Sequence, residues 1–164
     1  MQNFCDKIDA LNERVGHFIS WFVLAMVLVT FLVVVLRRIF NFGDIAMQES
    51  VTYMHAFVFM LAGAYTLKHN EHVRVDIFYQ NMSPRNKAKV DLFGTLFLLL
   101  PFAAFIIWIS FGYVSNSWKL LEGSREAGGL PLVYILKTLI PLMAVLLFLQ
   151  GISLTGRAWL SLRK

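Results

Sequence analysis

The chain has 164 residues, 58% of them hydrophobic and 15% charged, with a formal charge of +5. A soluble core of that size would leave large apolar areas bare, and the uncharged runs are long enough to cross about 30 Å of hydrocarbon. The basic excess points to lysines and arginines gathered at one membrane face rather than to nucleic acid, and the single cysteine, Cys5, excludes an intramolecular disulfide. The expectation is an all-α membrane protein of one domain, residues 1–164. Acidic residues at positions 6, 9 and 13 precede the first apolar run, unlike a cleaved signal, so the first span is expected to be retained.

Phe4, Ile8, Leu11 and Val15 share a helix face at spacings of four, three and four, with Asp6, Asp9 and Glu13 largely off it. That pattern predicts an amphipathic helix over about 3–14 that lies along the membrane surface and runs into span one. Span one is expected at 15–36, ending at Arg37-Arg38, and a short turn follows at Asn41-Phe42-Gly43-Asp44. Span two is expected at about 47–67. There Gln48, Thr52, His55, Phe59, Ala62 and Thr66 fall on one side of a helical wheel. A stripe of polar and small residues suits a protein neighbour, and the side with Val51, Met54, Val58, Leu61 and Tyr65 suits lipid.

Residues 73–82 read as a short interfacial helix, with Val75, Phe78, Tyr79 and Met82 able to share one side, although His72–Ile77 also alternates as a strand would. Ser83 followed by Pro84 is a helix start. It leads into span three at about 92–114, a helix long enough to project, tilt or kink, with Pro101 as the place for a kink. The segment 115–130 carries Glu122, Arg125 and Glu126 and the pair Gly128-Gly129, a turn-rich loop. Span four is expected at about 131–155 and contains Lys137, Pro141 and Gln150.

With the N-terminus inside, ten of the 15 lysines and arginines fall on the cytoplasmic side. The positive-inside bias therefore predicts four transmembrane helices with cytoplasmic N- and C-termini, plus the amphipathic interfacial helices. Tyr79, Trp118, Tyr134 and Trp159 lie near span ends, where aromatic anchors sit.

Few residues suggest chemistry. Haem would need two imidazoles at matching depth on facing helices, but His17 is placed near the inner end of span one and His55 in the outer half of span two. His69 and His72 flank Glu71 with no evident third metal ligand. The middles of the four spans read as essentially apolar, no convincing internal repeat marks an autonomous transporter, and nucleophile–base sets and phosphate-binding glycine loops are missing. No cofactor is expected. The two charges that enter spans, Glu49 and Lys137, could pair and fix spans two and four, or Lys137 could reach the outer headgroups while Glu49 sits at the interface.

Several of these residues together carry a resemblance. Gln48-Glu49 opens span two, and its exit reads Leu67-Lys68-x-x-Glu71-His72-Val73-x-Val75-Asp76. Arg37-Arg38-x-x-x-Asn41 follows span one, and Gly128-Gly129-Leu130-Pro131 runs through Lys137 and Pro141 to Gln150-Gly151. The chain resembles, over nearly its whole length, the small membrane subunit of TRAP transporters, the DctQ family. One departure is that family members often have a tryptophan and two acids where this chain has Ala46-Met47-Gln48-Glu49-Ser50. The resemblance implies sodium-driven uptake of an organic acid anion across a bacterial or archaeal inner membrane. The implied partners are a large many-span DctM-type subunit, a periplasmic DctP-type binding protein and membrane lipid, and the small subunit would act as a scaffold with no substrate or sodium ligand of its own.

On that basis His72, Arg74 and Asp76, with Glu71, would anchor or dock the inner-face segment. Arg37, Arg38, Asp44, Glu122, Arg125 and Glu126 would be outer-face candidates for contacts to the binding protein, and Gln48, Glu49, His55 and Lys137 the intramembrane polar set. The competing readings are the anchor subunit of an electron-transfer complex and a small autonomous transporter.

Overall fold

The computed structural model describes residues 2–72 and 79–162. Helix α1 spans Gln2–Ile39, α2 Ile45–Lys68, α3 Pro84–Gly94, α4 Leu100–Leu120 and α5 Val133–Leu162, and a π-helical stretch at Thr95–Leu99 joins α3 to α4. Four helical rods are long and apolar enough to cross a membrane, α3 to α4 counting as one of 37 residues. The polypeptide therefore crosses the bundle four times and brings both ends of the described chain to the same side, here the terminal end. The connections 40–44 and 121–132 lie at the opposite, loop end.

Local chemistry sets each boundary. Arg37 and Arg38 occupy the last turn of α1, where cations oppose the negative end of the helix dipole. Asp44 caps α2, its carboxylate accepting from the Met47 N–H at 2.8 Å. At the other end of α2, Asn70 takes a left-handed φ of 60°. The Glu71 N–H then bonds the Thr66 carbonyl and the Asn70 N–H the Leu67 carbonyl, a Schellman closure. Ser83 caps α3 through the Asn86 N–H, with Pro84 in the first turn. The kink expected at Pro101 takes the form of the π stretch just before it. Proline cannot donate to the carbonyl four residues back and crowds it; the ladder widens, and the Leu100 N–H bonds Thr95. Helix α4 ends in the same type of closure as α2, with Leu121 left-handed and the Glu122 N–H on the Ser117 carbonyl.

Helix α5 is the axis of the bundle. It packs against α1, α2, α3 and α4, while α1 pairs with α2 on one side of it and α3 continues into α4 on the other. The apolar core is Ile19, Leu61, Ala64, Leu139 and Leu146. Small residues set the spacing: Ala64, Ala103 and Ala144 are each 1% exposed. Such residues let helices approach closely in an environment where lipid removes the usual hydrophobic drive.

Two expectations about helix faces change. Residues 2–14 do not form a separate surface helix resting on Phe4 and Leu11, which are exposed. They extend α1 as one rod and bury Cys5, Ile8, Asp9 and Asn12, a side that is half polar, against α5. In α2 the sides are exchanged over most of the helix, although Ala62 of the polar stripe packs against the core. Leu61 is buried and Tyr65 lies over Gly16 of α1, whereas Gln48, Thr52, His55 and Phe59 point away from the bundle. The predicted interfacial helix at 73–82 falls largely outside the described residues; from Tyr79 the chain turns, with the Met82 N–H on the Tyr79 carbonyl.

Candidate docking site

Polar side chains inside the bundle gather in two clusters, one at each end. At the terminal end, α1 and α5 share a buried network. Asn12 donates to Gln150 Oε1 at 2.7 Å, and Gln150 Nε2 donates to Asp9 Oδ1 at 3.0 Å. Ser153 donates to the same Asp9 oxygen at 2.7 Å, and Arg157 bonds the other Asp9 oxygen and Asp6. Asn12, Gln150 and Ser153 are almost fully enclosed. The arrangement follows from spacing: Cys5, Asp9 and Asn12 are four and three apart on α1, and Gln150, Ser153 and Arg157 three and four apart on α5, so each set lines one face. Sequence reasoning missed this network by weighing the apolar stripe of residues 3–14 and setting the acids outside it.

Beside it, Glu13 on α1 bonds Lys68 at the end of α2 and lies 3.0 Å from His69 Nε2. The Lys68 ammonium, then the His69 ring, hold the Glu13 carboxyl at about 2, below its ordinary 4.5. A depressed carboxylate pKa stabilises the fold fully above the ordinary value and loses that contribution as pH falls toward the depressed one. Heat stability of the detergent-solubilised protein is therefore expected to fall between pH 4.5 and about 2. In Glu13→Gln that portion of the acid sensitivity should be missing; an unchanged acid profile in the variant would remove this link.

In the loop-end cluster the two charges that enter spans have separate partners and do not form the mutual pair, one of the two arrangements left open by the sequence. Lys137 bonds Glu122 Oε2 at 2.5 Å and stands 4.0 Å from the centre of the Tyr113 ring. Glu49 turns to the 121–132 loop, accepting from the Ser124 hydroxyl and from the Leu130 N–H at 2.6 Å. The cause is the closure at Leu121, which folds Glu122 back over α5 while the loop segment 124–130 reaches α2. Glu122, held by Lys137 first and by the Ser117 hydroxyl at 2.7 Å, is pushed below its ordinary range. Exchanging the charges, Glu122→Lys with Lys137→Glu, is expected to restore the folded yield lost in either single variant. The exchange Glu49→Lys with Lys137→Glu is expected to restore none. Size-exclusion yield in detergent checks both.

Of the outer-face candidates, Asp44 is engaged as a helix cap and Glu122 as the Lys137 partner, whereas Arg37, Arg38, Arg125 and Glu126 are exposed. Arg37 and Arg38 line a cleft of about 730 Å³ with Asn41 and Gln48. Of the exit motif, Glu71 is exposed and joins through its backbone alone, and His72 Nδ1 lies 3.2 Å from the Thr66 hydroxyl. Arg74 and Asp76 lie outside the described residues. His55 faces outward, stacked at 6.4 Å on Phe59. Among the described residues no group of three histidine, cysteine or acidic side chains could hold a metal ion. The clusters can hold helices in register, and the bundle presents a charged rim at the loop end and one polar helix face to its surroundings.

Comparison with known proteins bears on the chain's family. Residues 26–161 match the family model described as "Tripartite ATP-independent periplasmic transporters, DctQ component". A curated relative, the C4-dicarboxylate TRAP transporter small permease protein DctQ of Vibrio cholerae, is 24% identical over 113 residues. The alignment covers 68% of this chain but 48% of the relative, so the chain matches about half of that protein's length. No solved structure matches the chain. The chain belongs to the DctQ component family of the tripartite ATP-independent periplasmic transporters.

Proposed function

We propose that this chain is the small permease subunit of a TRAP transporter, bracing a large DctM-type membrane subunit and helping to receive a periplasmic DctP-type binding protein. Both termini would be cytoplasmic, the loop end would face the periplasm of a bacterial or archaeal inner membrane, and the assembly would take up an organic acid anion with sodium. A C4-dicarboxylate, the solute class in the name of the Vibrio cholerae relative, is the first to test.

The observation that supports this reading best is how the bundle spends its charges. Lys137, Glu49, Arg157 and Asp9 are bound to other segments of the same chain. Charged groups that serve a moving solute must be free to exchange partners; these instead tie α1 to α5, α2 to the loop, and the loop to α5. That is a brace. The exposed Arg37, Arg38, Arg125 and Glu126 would then be the rim available to the binding protein.

Reconstitution tests the proposal. Sodium-dependent uptake of the dicarboxylate into proteoliposomes is expected only when this chain, its large subunit and the binding protein are all present. Uptake by this chain alone, or equal uptake without it, would refute the reading. The charge reversal Arg37→Glu with Arg38→Glu should lower uptake while the two membrane subunits still copurify.

A further inference from the structure

The outward face of α2 is chemically unlike the rest of the bundle's outer surface. Gln48, Thr52 and His55, spaced four and three apart, are exposed there with Phe59, which is 72% exposed. Their side chains make no hydrogen bond within the described chain. Several exposed or half-buried hydroxyls in the spans satisfy themselves on the preceding helical turn. Ser20 donates to the His17 carbonyl, Thr30 to Met26, Thr66 to Gly63 and Ser110 to Ile107. Glutamine and histidine have no such local solution here, and α2 is already filled on its opposite side by Tyr53, Leu61 and Ala64.

Depth sharpens the point. Ile45–Lys68 is about 36 Å long at about 1.5 Å per residue, and His55 lies about 15 Å from its start, near the centre of a hydrocarbon layer about 30 Å thick. A neutral imidazole carries one donor and one acceptor, and lipid tails can meet neither. A polar helix face at that depth calls for protein. A second copy is a poor fit, because α2 against α2 would bring His55 and Phe59 of both chains to the crossing, where close self-association needs small residues.

We propose that the α2 face formed by Gln48, Thr52, His55 and Phe59 seats a transmembrane helix of the large membrane subunit, one that presents a hydroxyl, amide or carboxyl group at the depth of His55. This inference rests on the reading of the chain as a TRAP small subunit and adds the surface through which it braces its partner. Phe59 supplies the apolar anchor beside the hydrogen bond, its ring already stacked with the imidazole.

The test uses this chain co-expressed with its large subunit, with a photo-crosslinking benzoylphenylalanine in place of Thr52, Phe59 or, as control, Trp108 on the outward face of α4, which is 78% exposed. Adducts with the large subunit are expected from positions 52 and 59 and not from 108. In parallel, His55→Leu is expected to lower copurified large subunit about threefold or more, the scale of one intramembrane hydrogen bond, and Trp108→Leu to leave it unchanged. A complex that copurifies but crosslinks through 108 and not 52 or 59 would overturn the surface and leave the proposed function standing. Adducts of twice this chain's mass would assign the face to a second copy and overturn the proposal. Undiminished copurification of His55→Leu would refute the hydrogen bond. If the unsubstituted chain copurifies with no large subunit, the functional reading itself falls, and this inference with it.

Discussion

Gln150→Leu is expected to be a strongly damaging polar-to-apolar change, lowering stability by about 2–4 kcal/mol. Gln150 is 1% exposed and sits between two partners, accepting from Asn12 and donating to Asp9. Leucine fills nearly the same space but leaves the Asn12 amide, itself 1% exposed, without an acceptor. An orphaned buried donor costs about 1–3 kcal/mol, and the lost charge-assisted bond to Asp9 adds about 1.5–3, which the extra apolar burial only partly offsets. Asp9 keeps Ser153 and Arg157, so the site should loosen rather than come apart. Adding Asn12→Leu to Gln150→Leu removes the orphan and should recover about half of the loss, because replacing both partners by apolar groups is close to neutral. The midpoint of heat-induced loss of the monodisperse species in detergent measures all three proteins. A single variant as stable as the parent, or a double variant no better than the single, would show that the network does not clamp α1 to α5.

Local signals in the sequence were legible because their physics is local. Ser83-Pro84 announces a helix start by chemistry that needs nothing beyond the next three residues, and Pro101 disturbs its helix whatever packs outside. Four apolar runs of spanning length likewise need only the bilayer to be meaningful. Readings that depend on a neighbour fared differently. The wheel for α2 grouped Gln48, Thr52, His55 and Phe59 on one side, though Ala62 from the same stripe joins the core, and it could not say which side the bundle would take, since a polar stripe suits any protein neighbour, in this chain or another. Glu49 and Lys137 looked matched in depth, yet the left-handed Leu121 redirects Glu122 to Lys137, and one such backbone reversal is invisible in residue type. The Asp9–Gln150 network was within reach. Polar residues at matching spacings stand at both ends of the chain, and the signal was set aside because carboxylates beside an apolar stripe ordinarily face water. The functional assignment came from the motif after α2 and its surroundings, of which Arg74 and Asp76 lie outside the described residues.

Gly16→Ala supplies the second large effect, and its sign is diagnostic. Glycine inside a helix is about 1 kcal/mol less favourable than alanine, so where space is open the substitution stabilises. Gly112 in α4 is such a place, with nothing within 4 Å of an added Cβ, and Gly112→Ala should gain about 0.5–1 kcal/mol. At Gly16 the added Cβ would meet Tyr65 Cγ at 2.6 Å, well inside van der Waals contact. That atom is the root of the ring and has little freedom to swing. The ring is also hemmed in, its centroid 4.5 Å from that of His69 and 6.2 Å from that of His17. Relief therefore requires α1 and α2 to part where Glu13 and Lys68 also join them. Overpacking of this kind costs about 1–3 kcal/mol, which offsets or outweighs the helix-propensity gain of about 1 kcal/mol and leaves a net loss of up to about 2 kcal/mol at Gly16. Truncating the obstacle should restore the ordinary sign, so Gly16→Ala placed on a Tyr65→Ala background is expected to be neutral or stabilising relative to Tyr65→Ala alone. If Gly16→Ala raises the heat-denaturation midpoint of the otherwise unaltered chain as Gly112→Ala does, the close approach of α1 and α2 at Tyr65 is refuted.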